Sequence, residues 1–146
     1  ARTARSESNQ DLSVGAGFAL SGTKDAAKSP IVHEFIQNEK DPLVQLDMIG
    51  NSGDIKFLNK VGGLARDVAQ PVDLRSKAVF ALRFMDDSEA QATLNGLLQD
   101  PTLAIREAAL DAMELAHSKD AFHGALVTCA QSEKNARLRE RCEKLQ

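Results

Sequence analysis

Apolar residues recur along this chain at helical spacing, and the whole pattern returns after 31 to 33 residues. In the clearest copy, Ile105, Ala109, Ala112 and Met113 fall on one stripe of a helix. The same stripe occurs before and after it, at Leu74, Ala78, Ala81 and Leu82 and at Leu138, Cys142 and Leu145. A repeat of this length is typical of proteins in which units of two helices stack side by side.

A second stripe precedes each of these three and has the spacing i, i+4, i+7, i+8, which also predicts a helix. Its members are Phe57, Val61, Leu64 and Ala65; Ala90, Leu94, Leu97 and Leu98; and Phe122, Leu126, Cys129 and Ala130. We therefore predict units of two antiparallel helices, A and B. Pro71 and Pro101 are expected at the first position of their B helices, with Asp100 and Ser132 as caps of the second and third B helices.

Residues 29–52 are predicted to form a further, atypical helix pair. Ser29 is expected to cap its first helix, and Gly50 and Gly53 are expected to end its second. Terminal repeats are often irregular because one of their faces meets solvent. The predicted fold is all-α, an α-solenoid of about four stacked antiparallel pairs over residues 29–146. The pairs are 29–52, 54–86, 87–117 and 118–146.

The B helix DPTLAIREAALDAM resembles the HEAT-repeat family in its short bacterial form, which has Asp-Pro, an aliphatic residue, Arg and spaced alanines. The matching residues are Asp100, Pro101, Ile105, Arg106, Ala109 and Ala112. The first copy has Gln70 where Asp is expected, and the third keeps only Leu138 and Arg139. The resemblance covers about residues 54–146. It implies a helical solenoid that recognises other molecules, since most members are scaffolds.

The segment 1–28 follows a different pattern. Leu12, Val14, Ala16, Phe18 and Leu20 alternate with small residues, which is the spacing of a β-strand. Such a strand would lie along the solenoid, pair with another copy, or add to a partner's sheet. The alternative is a loose glycine-rich tail with accidental alternation. We therefore expect a flexible or extended N-terminal arm, through which the protein could associate with itself.

Composition limits the kinds of partner. The formal net charge is −3, and the chain contains neither Trp nor Tyr. A nucleic-acid binder would normally show a basic surface and aromatic side chains on which bases stack. No apolar run is long enough to span a bilayer. We therefore expect a protein or peptide partner, with no nucleic acid and no membrane span.

Cys129 and Cys142 fall on core positions of the last helix pair, at similar distances from its turn. Antiparallel helices would place them at one level, so a disulfide and a pair of reduced core thiols both fit. Ligand spacing for a metal is absent from the sequence around them. The chain begins at Ala1, as after signal-peptidase cleavage, and we expect a periplasmic or secreted protein, with a cytoplasmic one as the alternative.

Arg75, Arg106 and Arg139 occupy one position in successive B helices, which predicts a ladder of guanidinium groups. The ladder could bind carboxylates or phosphates of a partner. The structural alternative is that each arginine bonds acids or carbonyls of neighbouring repeats, with Asp73 and Asp100 as the candidates.

Few groups point to catalysis. His33-Glu34 resembles the His-Glu pairs of HEAT-like di-iron hydroxylases, but those enzymes repeat the pair and this chain has it once. His117 and His123 flank a turn and could share a metal with Asp120, but histidines at turns are more often solvated surface groups. We therefore expect no enzymatic activity, no metal and no cofactor.

The leading hypothesis is a non-enzymatic scaffold whose B-helix surface binds a protein or peptide. The expected contacts are Lys77, Arg83, Glu107, Asp111 and Glu114, with Leu12, Val14, Phe18 and Leu20 of the arm. The alternative rests on a resemblance to lyase-like HEAT proteins that attach or detach bilin pigments, and it implies a chromophore groove and a partner subunit. A small-molecule pocket between helices would favour the lyase, and a broad shallow groove would favour the scaffold.

Overall fold

The computed structural model describes residues 15–16, 19–23 and 25–146, and these residues contain helices and turns but no β-strand. The prediction of an all-α fold is confirmed. The α-helices bounded within this part are α1 (Pro30–Asn38), α2 (Pro42–Ser52), α3 (Leu58–Arg66), α4 (Val72–Ala81), α5 (Ser88–Leu97), α6 (Leu103–Leu115), α7 (His123–Ser132) and α8 (Ala136–Leu145). Short 3-10 turns lie at Ala26–Lys28, Ile55–Phe57, Leu82–Phe84 and Asp120–Phe122.

Helices that follow each other in the chain pack in pairs: α1 with α2, α3 with α4, α5 with α6 and α7 with α8. The second members of the pairs also contact one another, since α2 packs on α4, α4 on α6 and α6 on α8. The even-numbered helices therefore form one continuous row, which we call the B row.

Small residues allow this row to pack closely. Ala78, Ala81, Ala109 and Ala112 are at most 1% exposed, and they lie on the helices of the most extensive contact, α4 with α6. Without a long side chain at these positions, two helix backbones can approach each other more closely. The buried apolar residues form a single cluster that reaches from Ala26 to Cys142.

The ends of the first helices follow the expected capping chemistry. The Ser29 hydroxyl accepts a hydrogen bond from the N–H of Val32 at 3.4 Å, and Asp41 accepts one from the N–H of Leu43 at 2.9 Å. Gly53 ends α2 with φ 65°, a left-handed conformation that favours glycine. Gly50, also expected at this end, instead lies inside α2 against the guanidinium of Arg83.

Three predicted helix starts are wrong by one to three residues. Pro71 precedes α4, and its ψ of 142° is extended rather than helical. Helix α6 begins after Thr102, and the Asp100 carboxylate accepts the N–H of Thr102 at 2.9 Å. Ser132 is the last residue of α7, and α8 is capped by Asn135, whose side chain accepts from the N–H of Leu138 at 3.0 Å.

The segment before residue 29 is helical, not extended, at residues 15–16 and 19–21. The strand prediction is wrong at these positions, because glycine and alanine supply much of the alternation and favour strands weakly. Ala26 is only 3% exposed and packs on the core, so the packed part of the chain begins before residue 29. Leu20 is 38% exposed. The other expected arm contacts, Leu12, Val14 and Phe18, lie outside the described residues.

Candidate functional site

Each helix pair carries an acidic residue at the turn between its two helices. The side chains of Glu39, Asp67, Asp100 and Glu133 each accept a hydrogen bond from the backbone N–H two residues further on, over 2.8 to 3.0 Å. The last three are 33 residues apart. This acidic turn is thus a polar repeat with the same period as the apolar stripes.

Two arginines of the B row join successive acidic turns. Arg75 donates to both carboxylate oxygens of Asp100, over 3.4 and 2.5 Å, and to the carbonyl of Ala65. Arg106 also donates to both carboxylate oxygens of an acid, through Nε and Nη2 to Glu133, over 2.8 and 3.1 Å. Each of the two therefore ties its own helix pair to the acid of the next pair. Asp100 was expected to act in this way, whereas Asp73 forms no such bond with any described residue and Glu133 was not foreseen.

The first of these ion pairs is buried, and the second is partly buried, since the Arg106 side chain is 17% exposed. The Arg75 and Asp100 side chains are 2% and 7% exposed. Burial alone would raise the pKa of Asp100, but the hydrogen bonds from Arg75 and from the N–H of Thr102 outweigh it and hold that pKa below its usual value. The pKa of Glu133 is lowered in the same way, against burial, by Arg106 and the N–H of Asn135. Both carboxylates thus remain ionised at neutral pH.

Arg139, the third member of the predicted ladder, differs from the other two. Its Nη1 donates to the carbonyl of Glu133 at 3.0 Å. Within the described ranges its guanidinium has no carboxylate partner, and the residue is partly exposed. Among the described residues, Arg139 is thus bound to the acidic turn of its own pair but forms no ion pair.

A disulfide between Cys129 and Cys142 joins α7 to α8, with the two Cα atoms 5.9 Å apart. Both residues are buried, at 1% and 0% exposure. The disulfide therefore cross-links the two helices of the last pair within the core.

The expected partner contacts Lys77, Asp111 and Glu114 lie on the B row and bridge neighbouring helices. Lys77 donates to both carboxylate oxygens of Asp47 on α2 over 2.7 Å. Arg141 on α8 donates to Asp111 at 2.7 Å and to Glu114 at 3.0 Å. Glu107 is partly exposed on α6. These side chains remain accessible from solvent.

Arg83 does not fit the expectation of a partner contact, because it is only 9% exposed. Its guanidinium lies 4.3 Å from the ring centroid of Phe80 and 4.7 Å from that of Phe84, and it donates to the Asn51 side chain at 2.8 Å. Burial lowers the pKa of Arg83. Gly50 leaves room for this packing, since a Cβ there would collide with the guanidinium. Arg83 is a buried cation that holds α2 against the end of α4.

His33 is partly exposed, and its ring is fixed by two neighbours. Its Nδ1 lies 2.9 Å from Oδ2 of Asp54, and its ring stacks on Phe57 with centroids 4.7 Å apart. Asp54, which is 3% exposed, was not foreseen as a partner. Over the described ranges, no group of three or more His, Cys, Asp or Glu side chains is arranged to hold a metal ion.

Two open grooves follow the turns of the helix pairs. One has a volume of about 380 Å³ and runs between Arg66, Thr93 and Asp100. The other, about 220 Å³, runs between Pro101, Arg106 and Lys134. Both are open to solvent.

The chain matches no family model, and no curated protein or solved structure is significantly similar to it. The resemblance to HEAT repeats therefore stays a prediction from the sequence. Among the helices the structure describes, none combines the length and apolarity needed to cross a bilayer.

Proposed function

We propose that the protein is an α-solenoid of four stacked helix pairs, similar to HEAT repeats, which acts as a non-enzymatic scaffold for a protein or peptide partner. The observation that carries this proposal is the B row, in which α2, α4, α6 and α8 contact one another in sequence. Stacked rows of this kind present one extended surface built from several units, and such surfaces are what repeat proteins use for binding.

The chemistry of the B row supports a polar contact. Opposite charges alternate across it, from Asp47 and Lys77 at one end to Asp111, Glu114 and Arg141 at the other. Their side chains are 24% to 51% exposed, so they can change partners without unfolding the protein. Patterns of this kind set the register and specificity of a partner more than its affinity.

The disulfide supports an oxidising compartment, such as the periplasm or the outside of a cell. Stable disulfides persist there, whereas cytosolic thiols are kept reduced. Cys129 and Cys142 are also shielded from solvent, which protects the bond once it has formed.

Site-specific photo-cross-linking tests the scaffold function. A photoreactive amino acid replaces Glu107 on the B row in one sample and the exposed Asn59 of α3 in a matched control. In an extract of the source cells we expect one discrete product from position 107 that is absent from position 59. The same products from both positions, or none from position 107, would refute the proposal. A bilin whose absorbance shifts on mixing with the protein would instead support the lyase alternative.

A further inference from the structure

The larger of the two grooves, about 380 Å³, lies where α3 meets α5. Thr93 and Leu97, which are 5% and 4% exposed, line its inner side, and the exposed residues Ala92 and Gly96 line its outer side. A Cβ added to Gly96 would have no atom within 4 Å, so the space beside this residue is open. Ligand sites in proteins have volumes of about 300–1,000 Å³. The groove is therefore large enough for a small organic molecule.

The guanidinium of Arg66 is held at the wall of this groove. Its Nη1 donates to Oγ1 of the buried Thr93 at 3.1 Å. Gly62 leaves room for the guanidinium, since a Cβ there would lie 3.5 Å from Nη2 of Arg66. Arg66 forms no ion pair with any described residue. The groove thus contains a positioned cation whose Nε and Nη2 can donate to an anionic group.

Glu89 brings the opposite charge to the same groove. It lies four residues before Thr93 on α5, and residues four apart are neighbours on a helix surface. Glu89 is exposed, and its carboxylate has no hydrogen bond or ion pair within the described part of the chain. Arg66 and Glu89 therefore line one groove without neutralising each other.

The third charged residue of the groove, Asp100, already has a partner. Both of its carboxylate oxygens accept from Arg75, and its side chain is only 7% exposed. Asp100 therefore leaves the charge of Arg66 to a ligand.

The groove one repeat further along lacks both special features. Gln99 takes the place of Arg66, and Cys129 takes the place of Gly96, each 33 residues on. The volume of this second groove is only about 220 Å³. The cation and the open space of the first groove are therefore not required by the repeat itself.

We propose that the larger groove binds a free α-amino acid with an aliphatic side chain. Its carboxylate lies on Arg66, its ammonium group lies on Glu89, and its side chain packs over Ala92, Gly96 and Leu97. A zwitterion satisfies both charges, whereas a simple carboxylate would be repelled by Glu89 and a simple amine by Arg66. This binding site goes beyond the proposed scaffold function and does not depend on it.

The test is a titration of the full chain with leucine, followed by backbone NMR. We expect saturable shifts at the amides of residues 89–97, with a dissociation constant of roughly 1 mM for so small a ligand. N-Acetyl-leucine lacks the ammonium group and leucinamide lacks the carboxylate, and each should bind about tenfold more weakly. These two compounds also copy the C-terminal and the N-terminal end of a peptide.

Four variants assign the site. Arg66→Gln should weaken leucine binding about tenfold, since charged hydrogen bonds are lost. Gly96→Leu should weaken it at least as much, because the added side chain fills the groove. Gly124→Leu is the matched control, since Gly124 is also an exposed helical glycine with open space around it but lies outside the groove. It should leave binding unchanged. Glu89→Gln should abolish the preference for leucine over N-acetyl-leucine, an effect of charge that a change of shape would not give.

Each of the following outcomes overturns the proposal. Equal binding of leucine and N-acetyl-leucine would assign the groove to simple carboxylates or peptide C-termini. Equal binding of leucine and leucinamide would show that no carboxylate lies on Arg66. Absence of shifts at residues 89–97, or unchanged binding by Gly96→Leu, would show that the groove is not a site for leucine. The cross-linking at position 107 is independent of this groove, so failure here leaves the scaffold test intact.

Discussion

Arg75 in α4 and Asp100 at the turn after α5 form a buried ion pair that joins the second helix pair to the third. Arg106 and Glu133 repeat the arrangement between the third and the fourth. A buried charge that loses its partner is strongly destabilising, because it has already given up its hydration. These two links therefore hold the B row in register.

Replacement of Glu133 by Gln should lower the free energy of unfolding by about 3 kcal/mol, because Arg106 would be left without a countercharge. The matched control is Glu39→Gln. Glu39 occupies the equivalent turn and accepts the same backbone hydrogen bond, but no arginine of the described residues binds it. Urea denaturation measures both variants. If both variants lost the same free energy of unfolding, the ion pair with Arg106 would add no stability to that of the turn hydrogen bond.

Stability should fall in mild acid. The folded-state pKa values of Asp100 and Glu133 lie below their ordinary 3.8 and 4.5, so the stabilisation they provide is complete above these values. It is lost as the pH falls toward the lower folded-state values, where both carboxylates become protonated. Denaturation curves between about pH 6 and pH 3 should therefore show a slope that is shallower in Glu133→Gln. Identical slopes in both proteins would contradict this assignment.

Reduction of the disulfide should destabilise the protein by roughly 3 kcal/mol, as expected for a short closed loop. The two cysteines are 13 residues apart. Thermal unfolding with and without a reductant measures the effect. The double variant Cys129→Ala/Cys142→Ala serves as the control and should not respond to the reductant. If the reductant left the unfolding of the unaltered protein unchanged, the bond would not be formed in solution.

The backbone of Gly53 should not tolerate a side chain. Its φ is 65°, and a Cβ there would lie 2.6 Å from the carbonyl oxygen of Phe84. Gly53→Ala should therefore cost at least about 1–2 kcal/mol of stability. Gly63→Ala, inside α3 with no atom within 4 Å of the added Cβ, should instead stabilise by up to about 1 kcal/mol. Denaturation curves that rank the two variants in the opposite order would contradict the backbone described here.

The sequence predicts the helices well because apolar stripes are local and repeated. The stripe of Ile105, Ala109 and Ala112 is buried, as its spacing requires. The sequence predicts the caps less well than the helices. Ser132 and Asn135 are both residue types that cap helices, but α7 extends to Ser132, so the cap of α8 is Asn135. The alternating pattern before residue 21 wrongly predicts a β-strand, because its glycines have no side chain that could distinguish one face of a strand from the other.

The polar links were only partly predictable. The arginines stand out in the sequence, but their partners lie 25 to 27 residues away, across a helix. The step of 33 residues from Asp67 to Asp100 and Glu133 is a polar signal for these links, but it is separate from the apolar stripes that predict the helices. The burial of Arg83 could not be foreseen, because it depends on the approach of α2 at Gly50. The spacing of Cys129 and Cys142 likewise does not predict whether the two thiols are reduced or joined in a disulfide.

The coupling free energy between Arg75 and Asp100 tests the stacked arrangement most directly. It is obtained from the unfolding of Arg75→Gln, Asp100→Asn and the double variant. Stacked helix pairs predict a coupling of about 2–3 kcal/mol, because each single change leaves the other side chain buried and unpaired. A coupling near zero would show that the second and third helix pairs do not meet at this link, and the continuous row proposed as the binding surface would have to be abandoned.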